Sequence, residues 1–189
     1  GLISTLILVR LLTPDDFGLM SLAAAISATL NSASTLGIHN QIIRSRTVSR
    51  ALYDTGFTLS MLRGLLIGVM VFAVAGPAAA WFGDPRVMRI LQVIAVMPVL
   101  DGLISIGMVE YRRKLMLEKE FIHLSATRLF QITTTITAAF ILRDYTALMI
   151  GLTASRLFAL ILSYLMHPYR PRLSLATWRE FLGISFWAW

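Results

Sequence analysis

Arg63, Arg128 and Arg156 stand inside long apolar runs, and Asp101 and Asp54 share that setting. A guanidinium keeps its charge at any accessible pH and presents a fork of donors that fits a phosphate or carboxylate with two bonds. Ionisable groups at membrane depth usually face a bundle interior or a wet cavity. Arginines converging from separate helices would therefore line a cationic chamber suited to phosphate. Asn31 and Gln131 would extend that lining, because each recurs at helical spacing with other polar residues: Ser27, Asn31, Ser34 and Thr35 in one run, and Ser125, Arg128, Gln131 and Thr135 in another. Asp101 would partner one of the arginines or serve as a proton or cation site. A structural reading competes with each of these. Arg63 and Arg128 lie about two turns from basic loops, within reach of lipid headgroups, and polar helix faces commonly do no more than hold neighbouring helices together.

Other chemistries find little support. The chain has no cysteine, which removes disulfides, thiolate nucleophiles and Cys-ligated metals. His39, His123 and His167 fall at the ends of apolar runs without the spacing of a zinc-binding helix. No Ser/His/Asp set, metal cluster or phosphate-cradling glycine loop stands out, so no catalytic residue, metal or cofactor is assigned and no enzymatic activity is expected.

The elements that must position these residues follow from composition. Hydrophobic residues make up 57% of the 189 residues and charged ones 14%, against about 25% charged in soluble domains, and mean hydropathy is +0.73. The sequence predicts an all-α, polytopic transmembrane bundle of about six full or nearly full spans plus the start of a seventh, since helices satisfy their own backbone in lipid. The net charge of +7 would point to nucleic acid in a soluble chain. Here the cations fall in loops between apolar runs, where membrane topology accounts for them, and no nucleic-acid partner is expected. The opening on Gly1 and the short run Gly1 to Leu12, about 18 Å as a helix, suggest that the first span is cut at its start. The last apolar run, 181–189, is expected to be the start of a seventh helix, cut at its end.

The densest charge, EYRRKLMLEKEF at 110–121, orders the spans around it. Lys and Arg resist translocation, so short basic loops stay on the cytoplasmic side. If the spans alternate, Arg44, Arg46, Arg50, Arg112, Arg113, Lys114, Lys119, Arg170, Arg172 and Arg179 share that side, against Arg10, Arg86, Arg89 and Arg143 on the other. The first helix then starts in the cytoplasm. Three short turns face outward: LLTPDDFG at 11–18, WFGDPR at 81–86 and RDYT at 143–146. In the first two a Thr or Asp cap precedes a proline at the first helical position, where its missing N–H is harmless. The third span runs roughly 52–82, the fifth 122–142, and the sixth ends near 166. The fourth, about 86–109, contains Pro98, which should bend it close to Asp101.

RLLTPDDFG at 10–18, the FGDPRV turn at 82–87 and the basic loop YRRKLMLEKEF at 111–121 together resemble bacterial polysaccharide and oligosaccharide flippases of the multidrug/oligosaccharidyl-lipid/polysaccharide exporter superfamily. The resemblance runs over essentially the whole chain. It implies two pseudo-symmetric lobes of six helices around a central cationic cavity, with residues 1–180 as the first lobe and 181–189 opening the second. It also implies alternating access for a polyprenyl-linked saccharide destined for O-antigen, exopolysaccharide or a similar polymer. The arginines would engage its pyrophosphate or acidic sugars. Asp54 or Asp101 would couple to H+ or Na+, and polysaccharide assembly proteins would be partners beside the lipid bilayer. Two rivals remain: a cation-coupled multidrug antiporter of the same superfamily, which would favour an acidic cavity, and a membrane-embedded glycosyltransferase or polymerase, which would normally carry a large loop with carboxylates.

Overall fold

A computed structural model describes residues 49–178, with positions 17–19, 21, 24–25, 28–29 and 42 beside them. Most of the first two expected spans, Asn31, Arg44, Arg46 and the run 181–189 lie outside the described residues.

Helix α1, Arg50–Phe82, has 33 residues, about 50 Å at 1.5 Å per residue and longer than a bilayer core of about 30 Å. Ser49 caps its start by accepting from the Leu52 amide at 3.2 Å. Gly83 ends it in the left-handed region, φ 68°, where glycine carries no Cβ penalty. Asp84 then caps α2, Pro85–Ile94, with Pro85 in the first turn. Its carboxylate accepts from the Arg86 amide at 2.8 Å and binds the Arg86 guanidinium at 2.8 Å, which holds the Asp84 carboxyl below the usual carboxylate range.

Pro98 has no N–H to offer the Ile94 carbonyl, and the helix breaks between α2 and α3, Val96–Leu103, at Ala95. A larger bend follows. Ile104 leaves the helical region, a short 3-10 turn Ile106–Met108 and α4, Val109–Arg113, follow, and the direction changes by 63°. Broken backbone at this depth needs replacement partners. They come from the last long helix: Tyr164 donates to the Leu103 carbonyl at 3.0 Å, and the Ser163 hydroxyl accepts from the Ser105 amide at 3.1 Å. Helix α5, Leu117–Leu142, and α6, Thr146–Met166, form a hairpin turned at Arg143, φ 50°, where Asp144 accepts from the Tyr145 amide at 2.7 Å.

The helices meet through small residues. Gly64, Gly68 and Gly102 let α1 and α3 approach at backbone distance: a Cβ on Gly68 would lie 2.7 Å from the Ala95 carbonyl oxygen, and one on Gly102 2.5 Å from that of Ser60. Ala138, Ala139 and Ala147 do the same near the α5–α6 turn. One buried cluster, including Ile67, Val71, Ile90, Leu91 and Met149, fills the end nearest Gly83, and a second, including Leu52, Phe57, Ile106 and Val109, fills the basic end. Leu65, Leu66, Val69 and Phe72 of α1 and Ile161 and Leu165 of α6 remain exposed, as a lipid-facing surface requires.

Among the described residues two helices, α1 and α6, are long and apolar enough to cross a membrane, or three if the bent segment from Pro85 to Arg113 is one span. That is fewer than the six expected. Most of the first two expected spans and the seventh fall on residues outside the description, the fourth is broken, and α5 has the length but is diluted by Arg128, Gln131, Thr133, Thr134, Thr135 and Thr137. Among the described residues the all-helical character stands.

Candidate functional site

Three of the embedded ionisable residues meet on one side of the bent segment. Arg63 projects from α1, Asp101 from α3 between the Pro98 break and the Ile104 bend, and Arg156 from α6. Arg156 Nη1 lies 3.1 Å from Asp101 Oδ1, and the Arg63 and Arg156 guanidinium charges both act on that carboxylate. Ser60, Arg63, Gly64, Ile67, Pro98, Asp101 and Gly102 line an open cleft of about 200 Å³. Gly64 and Gly102, which bring α1 against α3, therefore also line it, as does Pro98, the proline at the helix break. The side chains of Arg156 and Asp101 are 45% and 43% exposed, so their pair faces open space and is not sealed in a core. The pair joins α3 to α6 beside the cleft.

The other candidates are placed elsewhere. Arg128 is exposed on α5 and donates to Gln131 Oε1 at 3.0 Å, one turn along the same helix. Thr135, on the same stripe, is buried where α5 meets Gly151 of α6. Asn31 lies outside the described residues. Asp54 is buried at the basic end, where it accepts from the Tyr169 hydroxyl, from the Arg172 amide at 3.0 Å, and pairs with Arg50 at 3.9 Å. Burial, reinforced by the Asp54 carboxylate, pushes the Tyr169 phenol well above its ordinary range. His123 contacts the Ala159 carbonyl at 3.2 Å and His167 contacts Glu110 at 3.1 Å.

Two features of the basic end escape sequence reading. First, the segment after α6 is strapped along α1: Ser174 N–H donates to Thr58 at 3.0 Å, Thr177 N–H to Thr55 at 3.3 Å, and Thr177 Oγ1 to Thr55 at 3.0 Å. The polar stripe Asp54, Thr55 and Thr58 was the available signal. Second, the cations of 110–121 fold back on their neighbours. Arg112 binds Glu120 at 2.6 Å, Lys114 binds Glu110 at 2.5 Å, and Lys119 sits 4.9 Å above the Tyr111 ring.

Apolar helices whose freed backbone groups are repaired by side chains, with an ion pair opening on a cleft at the break, define a helical membrane protein. A family model described as polysaccharide biosynthesis protein matches residues 7–189, and the chain belongs to that family. No curated protein and no solved structure matches the chain.

Proposed function

We propose that this chain carries the substrate-facing part of a flippase, a transporter and not an enzyme, that moves polyprenyl-pyrophosphate-linked oligosaccharide across the bacterial inner membrane by alternating access. The observation that supports this most is a cleft beside a broken helix lined by Arg63 and Asp101, with Arg156 bound to that Asp101. A pyrophosphate is a strong acceptor that guanidinium groups bind in forked geometry, while the polyprenyl tail stays in lipid against the apolar faces of α1 and α6. Family membership supports a role in polysaccharide assembly, and the pairing of two cations with one acid favours an anionic cargo over the cationic cargo of a drug antiporter.

In this reading the bundle holds six spans per lobe, with the basic end in the cytoplasm and the turns at 83–85 and 143–145 outside. Arg128 and Gln131 form a second polar contact on the substrate's way. Deleting the gene should leave lipid-linked oligosaccharide on the cytoplasmic leaflet, measured by its protection from an impermeant glycan-modifying reagent in intact spheroplasts. Unchanged exposure on the outer leaflet would remove the flippase reading.

A further inference from the structure

The Arg156–Asp101 pair poses a question that cation placement alone does not answer. If the cleft receives an anion, its best donor is already engaged. Arg156 Nη1 is bound to Asp101 Oδ1 at 3.1 Å, and Arg63 acts on the same carboxylate. The elements packed on α3 are α1, α2 and α6; the charges they direct at Asp101 are Arg63 from α1 and Arg156 from α6. An arriving sulfate or phosphate group therefore meets a site whose charge is partly neutralised by a carboxylate of the chain itself. Two anions side by side between two guanidinium groups repel, and like charges at such range disfavour ionisation of the weaker acid.

Resting on the reading of the cleft as an anion site, we propose that Asp101 is its resident counter-ion: the incoming anion and the Asp101 carboxylate compete for the same guanidinium groups, and binding takes up a proton. Arg156 transfers its hydrogen bond from Asp101 Oδ1 to an oxygen of the anion. The released carboxylate takes a proton from water. When the anion leaves, Asp101 loses that proton and closes back on Arg156, so the empty site is not left as two bare cations in a low-dielectric cleft. The position suits the exchange. Both partners are nearly half exposed beside the cleft, and Asp101 sits between two helix breaks at Ala95 and Ile104, where a small rotation of α3 withdraws it. A counter-ion of this kind also keeps anion binding moderate, which a carrier needs for release.

The test uses inorganic sulfate, which stays a dianion throughout, titrated calorimetrically into the full-length protein in nanodiscs between pH 5 and pH 8. Wild type should bind progressively more weakly as pH rises, by up to about tenfold per pH unit for one linked proton. Asp101→Asn, nearly isosteric, should bind more tightly than wild type at pH 8 and show a flat profile. In weakly buffered solution, adding sulfate to wild type should make the medium more alkaline, a measurement that needs no variant. A flat wild-type profile without proton uptake, or an Asp101→Asn protein that keeps the wild-type slope, overturns the exchange. If Arg156→Ala alone still abolishes binding in that case, the anion site survives without it. No sulfate binding by wild type at any pH, or binding undiminished in both Arg63→Ala and Arg156→Ala, removes the anion site itself and the exchange with it.

Discussion

The cleft and the basic end are both built from acids and cations, yet they use them differently. At the basic end Asp54 is buried under the strap and accepts from Tyr169 and Arg172, while Glu110 is shared by Lys114 and His167. Several donors converge on each acid, and the groups they hold come from segments far apart in the chain. At the cleft, Arg156 bridges Asp101 with both side chains nearly half exposed, and Arg63 acts on the same carboxylate. Charge saturated with partners fastens segments together. Charge left half exposed beside a cleft is, in our proposal, the charge that changes partner.

Substitutions can break or sharpen that contrast. The largest effect on stability is expected from Asp54→Ala, which leaves the Tyr169 hydroxyl and the Arg172 amide without their acceptor. Hydrogen bonds to a charged group contribute about 1.5–3 kcal/mol each, so a loss of roughly 3 kcal/mol should appear in denaturant or thermal unfolding in nanodiscs. If stability did not change, the strap would not be a fastening. Gly68→Val should cost about 1–3 kcal/mol by overpacking, because its Cβ would meet the Ala95 carbonyl; unfolding measurements read this too, and a neutral result would mean that α1 and α3 are not in backbone contact. Tyr164→Phe removes one donor from the bend and should cost about 1 kcal/mol. The smallest shift belongs to Asp101→Asn, within about 1 kcal/mol of wild type. A loss as large as that of Asp54→Ala would make the cleft pair another fastening.

The turns were the most legible part of the sequence. Asp84 and Pro85 take the cap and first-turn positions that their chemistry dictates, because such turns are decided by neighbouring residues alone. The end of α6 at Met166 and the end of α1 at Phe82 likewise follow from where the apolar runs stop. The bend was only half legible. Pro98 marks the break at Ala95, but the sharper turn at Ile104–Ser105 depends on Ser163 and Tyr164, about sixty residues away in the chain, and no local pattern announces such partners. Helix α5 begins at Leu117, ahead of the expected 122, because Glu118 and Glu120 favour the positive end of a helix although they are not apolar. The meeting of Arg63, Asp101 and Arg156 could be suspected from their depth in separate spans. That Arg128 instead bonds along its own helix, and that Asp54 holds the strap, are facts of packing.

The most direct measurement separates carrying cargo from holding the fold. In cells whose only copy of the gene encodes Arg156→Ala, the protein should reach the membrane at wild-type abundance while lipid-linked oligosaccharide accumulates on the cytoplasmic leaflet and surface polymer falls at least tenfold. Wild-type polymer with the arginine gone would contradict the assignment of the cleft.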